Sequence, residues 1–496
     1  MSVLKTKPVE QCISDTEVEG HQLRRDLSAL DLTVFGVGVT IGTGIFVLTG
    51  VAAATKAGPA IALSFVVAAV ACALAGLCYA ELASAVPVAG SAYTFSYATL
   101  GELIAWIIGW DLVLEFTLGG AAVAKGWSKY LVELLPITLP ASIAGDSPTV
   151  DVPAALVVAA LTVVAIIGVK FSARFNSLLV AVKVAVVLLF IAVGLTAVKA
   201  SNWSPFIPPA AKAPKAVTAV ETGTPVIQLL LGQEPLDYGL LGIGFGAAIV
   251  FFAFIGFDVI ATTAEEVRRP QRDLPIGILG SLAICTVLYV IVSVVMTGLL
   301  RYTELNDAAP MAKALKANGL DLAASLVSLG ALAGLTTVIL VLMMGQARVL
   351  FAMSRDRLLP EGLAKVHPTF RTPWIISLLT GTVIAVITAL VDLDTLADLV
   401  NIGTLFAFVL VSIGVVVLRR TRPDLQRAFR TPAVPLIPAL AVVACLFLML
   451  NLGTHTWYRF LAWMVIGLVV YFFYGRRRSR LATGEKTVAT GDGQAR

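Results

Sequence analysis

Charge is what this chain has least of. Only 14% of its 496 residues are Asp, Glu, Lys or Arg, while 58% are hydrophobic. A soluble domain is typically about 45–50% apolar and about 25% charged. A soluble domain is thereby excluded, and the mean hydropathy of +0.91 describes a polytopic membrane protein. Cysteine is scarce as well: Cys72, Cys78, Cys285 and Cys445 lie inside apolar runs and Cys12 lies in the N-terminal tail. No CxxC or metal-ligand spacing occurs, so no disulfide framework is expected and the thiols read as small apolar side chains. The three histidines, His21, His367 and His455, lie near loops and form no metal set. No P-loop, kinase, hydrolase or haem motif occurs. Neither an enzyme, nor a cofactor, nor ATP-driven work within this chain is expected. Residues 1–30 lack a signal-peptide core, so the first apolar run reads as an uncleaved signal anchor.

What is present is a series of long apolar runs. About 20 apolar residues cross the hydrocarbon core of a bilayer. Twelve candidate spans result, at about 31–55, 60–84, 99–124, 152–170, 176–198, 239–263, 275–299, 322–352, 373–391, 396–418, 432–452 and 455–474. All are expected to be helices, because lipid offers the backbone no hydrogen-bond partner. The net charge of +5 does not indicate nucleic acid, because the basic residues sit in short loops and tails. Arg24, Arg25, Lys170, Arg268, Arg269, Arg272, Arg355, Arg371, Arg419, Arg420 and Arg476 fall on the side shared by the two termini. The opposite side receives mainly Lys56, Lys129, Lys199, Lys212, Arg301 and Lys316. That bias puts both termini in the cytoplasm of a plasma-membrane protein. The Pro-, Ala- and Thr-rich stretch 201–238 then reads as an external loop with short helical pieces.

Two spans interrupt themselves. Gly36–Phe46 reads GVGVTIGTGIF, and Gly242–Asp258 reads GIGFGAAIVFFAFIGFD. Glycine inside a helix costs about 1 kcal/mol relative to alanine. Unwound backbone persists in a bilayer only where protein or a polar cavity satisfies it. Matched breaks in two halves of a polytopic protein point to a central substrate site; taken singly, such glycines serve close helix packing. In the first span the outer half-helix begins near Ile45. Its start, at Thr43, Gly44 and Ile45, suits a carboxylate. The inner half ends near Val39–Ile41, where free carbonyls suit an ammonium. The sixth span offers carbonyls at Phe252, Ala253 and Ile255 before Gly256. Both charges a few ångströms apart fit an amino acid better than a sugar or an inorganic ion.

Ionisable groups within spans are functional candidates, because burying them is costly. Glu115 lies deep in the third span, with Asp111 one turn earlier. Glu115 reads as a proton-responsive group or as the partner of a basic side chain. Lys183 in the fifth span either snorkels to the interface or occupies a cation site near the first break, where it can exchange its proton. Asp258 follows the second break and reads as a cap. The run EEVRRPQRDLP from Glu265 reads as an ion-paired cytoplasmic gate or as a solvated loop.

These residues resemble a known group. GVGVTIGTGIFVLTG, CYAELASAVPVAGSAYTFSYATLGELIAWIIGWDLVLEF, FFAFIGFD with TAEEVRRPQRDLPIGI, and GQARVLFAMSRDRLLP are similar to the amino acid–polyamine–organocation superfamily. Within it they resemble the prokaryotic twelve-helix members of the cationic amino acid transporter family. The likeness spans about residues 22–475. It implies a LeuT-like five-plus-five inverted repeat with discontinuous first and sixth helices, plus two further helices. The corresponding segments are an N-terminal tail at 1–30, a first repeat at 31–200, the external loop 201–238, a second repeat at 239–420, helices eleven and twelve at 421–475, and a cytoplasmic tail at 476–496.

The resemblance further implies proton-coupled amino acid import. It places the substrate carboxylate on Thr43 and Gly44. The ammonium goes to carbonyls around Thr40, Ile41, Phe252, Ala253 and Ile255. Lys183 matches the fifth-helix lysine that stands in for sodium in proton-coupled relatives, and Glu115 a carboxylate beside the pocket. The region Leu342–Met344, with Met343 in the pocket wall, would line the side-chain end. The expected partners are an amino acid, protons and the lipid bilayer. The amino acid is expected to be small and neutral, such as alanine, or cationic, arginine or lysine. The rivals are sodium coupling or exchange on the same fold, a non-transporting receptor, and a channel.

Overall fold

The computed structural model describes Thr6 and residues 26–86, 88, 91–135, 139–145, 148–168, 173–212 and 223–479. Cys12, His21, Arg24, Arg25, Lys170 and the tail beyond 479 lie outside these residues. What is described is mostly helical, and a helix satisfies all its backbone hydrogen bonds within one span of a bilayer. Among the described residues eight helices are long and apolar enough to cross a membrane, and four shorter apolar helices accompany them.

The chain enters at Ser28, whose backbone N–H and hydroxyl both donate to the Asp31 carboxylate while its side chain accepts from the Asp31 N–H. That reciprocal cap starts α1, Ala29–Thr40. After a break, residues 44–57 form the outer half of this segment in alternating wide and ordinary turns. α2 is Ile61–Ala85. A separate short helix, α3 at Ser91–Thr99, precedes α4, Glu102–Leu134. The expected third span began at 99. Gly101 (φ 98°) instead turns the chain there, and α4 continues well past 124.

Asp151 caps α5, Val152–Ile167, by accepting from the Ala154 N–H, and α6 is Ala173–Leu195. The stretch to 238 holds short helical turns, as expected, and a two-residue antiparallel pair, β1 Ala211–Lys212 with β2 Leu236–Asp237. That pair lacks the alternation by which strands are recognised, being too short to show any. α7, Gly239–Val250, runs into a tight 3₁₀ turn at Phe251–Phe254 and a second at Asp258–Glu266. α8 is Pro270–Leu299, α9 is Asp321–Arg355, α10 is Trp374–Leu390 and α11 is Leu393–Thr421. α12, Leu436–Leu450, and α13, Thr454–Val470, complete the bundle, with a wide turn at Tyr471–Gly475.

α4 lies at the centre, packed on α9 and α11. α8 packs on α1 and α2, and α6 reaches both α1 and α9. The two broken segments are almost wholly buried, whereas Leu156, Val163, Leu188, Leu195 and Val443 are exposed apolar side chains on the outer surface. In water such a surface would drive aggregation; in a bilayer it meets lipid. Cys72, Cys78, Cys285 and Cys445 are buried free thiols.

Candidate functional site

The two glycine-rich breaks touch. α1 stops at Thr40, Ile41 turns extended, and the Ile45 and Phe46 N–H groups both donate to the Gly42 carbonyl. On the other segment Ile255 is extended and Gly256 adopts φ 123°, a conformation that favours glycine. A methyl on Gly44 would lie 2.3 Å from Ala253 Cα, and one on Gly256 would lie 3.2 Å from the Thr40 nitrogen. At Gly44 the nearest atom is backbone, which cannot turn aside as a side chain can; at Gly256 the Val39 side chain is met first, at 2.9 Å, with backbone just behind it.

A small cavity of about 20 Å³ lies at this contact. That is room for about one water molecule, so admitting a solute requires the lining segments to part. Thr40, Thr43, Gly44, Glu115, Phe252 and Ile255 line it, together with Val39, Gly42, Gly119, Val123, Val338 and Leu342. Ile41, Ala253 and Met343 do not. Ile41 is wholly buried and Ala253 is the packing partner of Gly44. Met343 is also buried, and Leu342 takes the wall position expected of it. One residue along a helix is a rotation of about 100°, which sequence reading cannot resolve.

The freed carbonyls of α1 are partly claimed by side chains. The Lys183 ammonium, 1% exposed, donates to the Gly38 carbonyl at 2.5 Å. It therefore does not snorkel, and it sits beside the cavity rather than in its lining. The Tyr289 hydroxyl donates to the Thr40 carbonyl at 2.7 Å. Tyr289 was not anticipated; a lone tyrosine in the apolar run LYVIVSVV was the available signal. On the outer half, the Ile45 N–H is already used by Gly42 and Ile45 does not line the cavity, whereas Thr43 and Gly44 do. The Tyr130 hydroxyl donates to the Phe46 carbonyl at 2.8 Å.

Glu115 is buried; the Thr404 hydroxyl lies beside it but donates to the Val400 carbonyl, so neither carboxyl oxygen accepts a hydrogen bond among the described residues. Of its two readings, the one with a basic partner finds no ion pair among the described residues, and the charged groups that act on it are Asp258 and Asp111. Asp111 is similarly buried and unpartnered, and its Oδ1 would meet a methyl added to Gly403 of α11. Asp258 accepts from the Gly256 N–H at 3.2 Å and so fixes the turn at the second break. The cavity wall thus holds one carboxyl group and the unpartnered Thr40 hydroxyl, amid apolar side chains.

The side chain of Glu265 lies outside the described residues, and among the described residues of this charge run one ion pair forms. Glu266 meets Arg348 of α9 at 3.0 Å, while Arg268, Arg269 and Arg272 are exposed. Leu27 is tied to the same run by backbone bonds to Glu266 and Arg268. A second cluster was missed altogether. Buried Glu81 of α2 accepts two bonds from Arg419 and one from the Thr431 N–H, and Arg427 lies at 3.4 Å. It joins α2, the end of α11 and the segment leading to α12.

A membrane-spanning bundle with a cavity between two broken helices is of the solute-transporter class. The chain belongs to the amino acid permease family of the amino acid–polyamine–organocation superfamily, whose profile matches residues 27–471. It is 48% identical over 491 residues to the branched-chain amino acid permease BcaP of Bacillus subtilis (strain 168), covering 97% of this chain and 99% of that one. It is 45% identical to the methylthioribose transporter of the same organism, again over 97% and 99%. The vacuolar cationic amino acid transporter 4 of Arabidopsis thaliana is 39% identical over 82% of this chain and 65% of its own length. Membership makes the chain a membrane transporter and not an enzyme.

Proposed function

We propose that this chain is a proton-coupled importer of neutral aliphatic L-amino acids in the plasma membrane, with twelve spans, a LeuT-like five-plus-five core and both termini cytoplasmic. The observation that carries the reading is the contact of the two breaks around one cavity, with Lys183 bonded to the backbone of the broken helix. Thr43 and Gly44 receive the carboxylate at a half-helix start. Carbonyls of the two breaks receive the ammonium. Val123, Val338 and Leu342 offer the side chain an apolar wall, which supports an aliphatic amino acid, and the branched-chain permease among the relatives agrees with it.

The coupling follows from Lys183. Charged, it holds the Gly38 carbonyl and thereby the end of α1. Losing its proton to the cytoplasm weakens that bond and frees the inner half-helix to move. A lysine at this position argues against sodium.

A cationic substrate is the second reading, favoured by the unpartnered Glu115 carboxyl in the wall. Thermal unfolding of the purified protein with each of the twenty amino acids and methylthioribose separates the cases, since a ligand that binds the folded state raises the melting temperature. Stabilisation by leucine, isoleucine, valine or alanine is expected. Stabilisation by arginine and lysine alone would transfer the assignment, and by methylthioribose alone would overturn it. For coupling, Lys183→Ala in proteoliposomes is expected to lose uptake driven by a pH gradient, with sodium replaced by choline throughout. Undiminished gradient-driven accumulation would exclude Lys183 from coupling.

A further inference from the structure

The last helix of the bundle carries an interaction that the site does not explain. α13 runs on through the wide turn Tyr471–Gly475, and most of this continuous segment faces outward, with Leu461, Val465, Ile466 and Phe473 exposed. Its inward edge is a row of residues spaced by four: Trp463, Gly467 and Tyr471. They meet a row on α4 with the same spacing in antiparallel register: Trp110, Trp106 and Glu102.

The Trp106 indole N–H donates to the Gly467 carbonyl at 2.8 Å. The Trp110 indole N–H donates to the Trp463 carbonyl at 3.0 Å, and the Trp463 indole N–H donates back to the Trp110 carbonyl at 3.3 Å. The two indoles stack with centroids 4.5 Å apart. The Tyr471 hydroxyl donates to Glu102 at 3.0 Å, and the other oxygen of that carboxylate accepts from Tyr97 of α3. A methyl on Gly467 would lie 2.4 Å from the Trp110 ring, so only glycine admits the indole.

Helices in lipid have no hydrophobic drive to associate, so packing and polar contacts set their docking. Three matched rungs with four polar bonds fix more than adhesion. They set both the height and the rotation of α4, because sliding by one residue would turn every rung away by about 100°. Glu115 lies five residues beyond Trp110 on that rigid helix, about 7.5 Å along its axis.

We infer that α13 is a positioning brace for transport: the Trp463–Gly467–Tyr471 edge sets the register of α4 and so presents Glu115 to the substrate cavity. This rests on the reading of Glu115 as part of the substrate site. Trp463 and Tyr471 touch no substrate and act through α4.

The test is uptake kinetics in proteoliposomes with radiolabelled L-alanine, L-leucine and L-arginine, each assayed separately. Trp463→Phe keeps the ring stack and removes the N–H; Tyr471→Phe removes the hydroxyl. Each is expected to raise KM about three- to tenfold for the amino acid wild type takes up best, the scale set by losing one buried hydrogen bond. Maximal rate and elution as a single folded species should be preserved, and Leu461→Ala on the outer face should leave KM unchanged. In a Glu115→Gln background, which itself raises KM, the brace variants should add less than about twofold, the signature of a shared path. Unchanged KM in both brace variants, while Glu115→Gln alone raises it, would overturn the brace. Equal increases with and without Glu115 would overturn its action through that carboxylate. No effect of Glu115→Gln would overturn the site reading and the proposal together.

Discussion

Replacing Gly44 by alanine places one methyl group at the contact of the two breaks. In the native packing that methyl would lie 2.3 Å from Ala253 Cα and 2.6 Å from its nitrogen, where ordinary contact begins at 3.4 Å. The segments must therefore separate by about 1 Å, and backbone on the far side leaves no rotamer escape. Overpacking of this kind costs about 1–3 kcal/mol. If the cost falls on the arrangement that closes over substrate, affinity drops by about 5- to 150-fold. Isothermal titration with the best-stabilising amino acid measures it directly.

Gly76→Ala in α2 is the comparison. Its added methyl finds its nearest neighbour, Leu282, at 3.6 Å, so binding should be unchanged and helix propensity should favour the folded state. A Gly44→Ala protein that elutes as wild type and binds within twofold of it would refute the view that close approach of the breaks builds the site.

Three further outcomes are expected. Tyr289→Phe strands the Thr40 carbonyl, an unpaired buried acceptor worth about 1–3 kcal/mol, and should weaken substrate binding in the same titration while the protein still folds. Leu342→Ala should shift uptake competition toward bulkier side chains, while Met343→Ala should alter stability but not preference; the reverse pattern would return Met343 to the pocket wall. Arg419→Ala removes two of the bonds that hold buried Glu81. Because Arg427 and the Thr431 N–H still hold the carboxylate, the loss should be about 1.5–3 kcal/mol, the scale of hydrogen bonds to a charged group, seen as a lower unfolding midpoint; an unchanged midpoint would mean that Arg427 alone suffices.

The two breaks were legible because their cause is local. Glycine crowding inside an apolar run marks a break wherever the fold puts it, so the segments around Gly42 and Gly256 were readable without a structure. Glu115 and Lys183 stood out because charge is expensive in a membrane. What could not be read was the partner of each group. Lys183 had two readings, and burial against Gly38 selects the inward one. Glu115 was allowed a basic partner, and the packing of α4 gives it acidic neighbours instead. Glu81, in a motif already visible, carried no hint that Arg419 lay opposite, more than three hundred residues later.

The sequence by itself determined a bundle of apolar helices, two of them interrupted by glycines, with Glu115, Asp111, Asp258 and Lys183 set within apolar spans. Composition and glycine placement act through each segment's own backbone, so they need no neighbour. Tertiary structure alone decided that the two breaks touch, that Tyr289 and Lys183 cap different carbonyls of α1, that Leu342 rather than Met343 lines the cavity, and that α13 matches α4 rung for rung. Each of these depends on the rotation of a helix about its axis. An apolar helix surrounded by lipid and by other apolar helices has no hydrophobic face to announce that angle, and only packing and long-range hydrogen bonds set it.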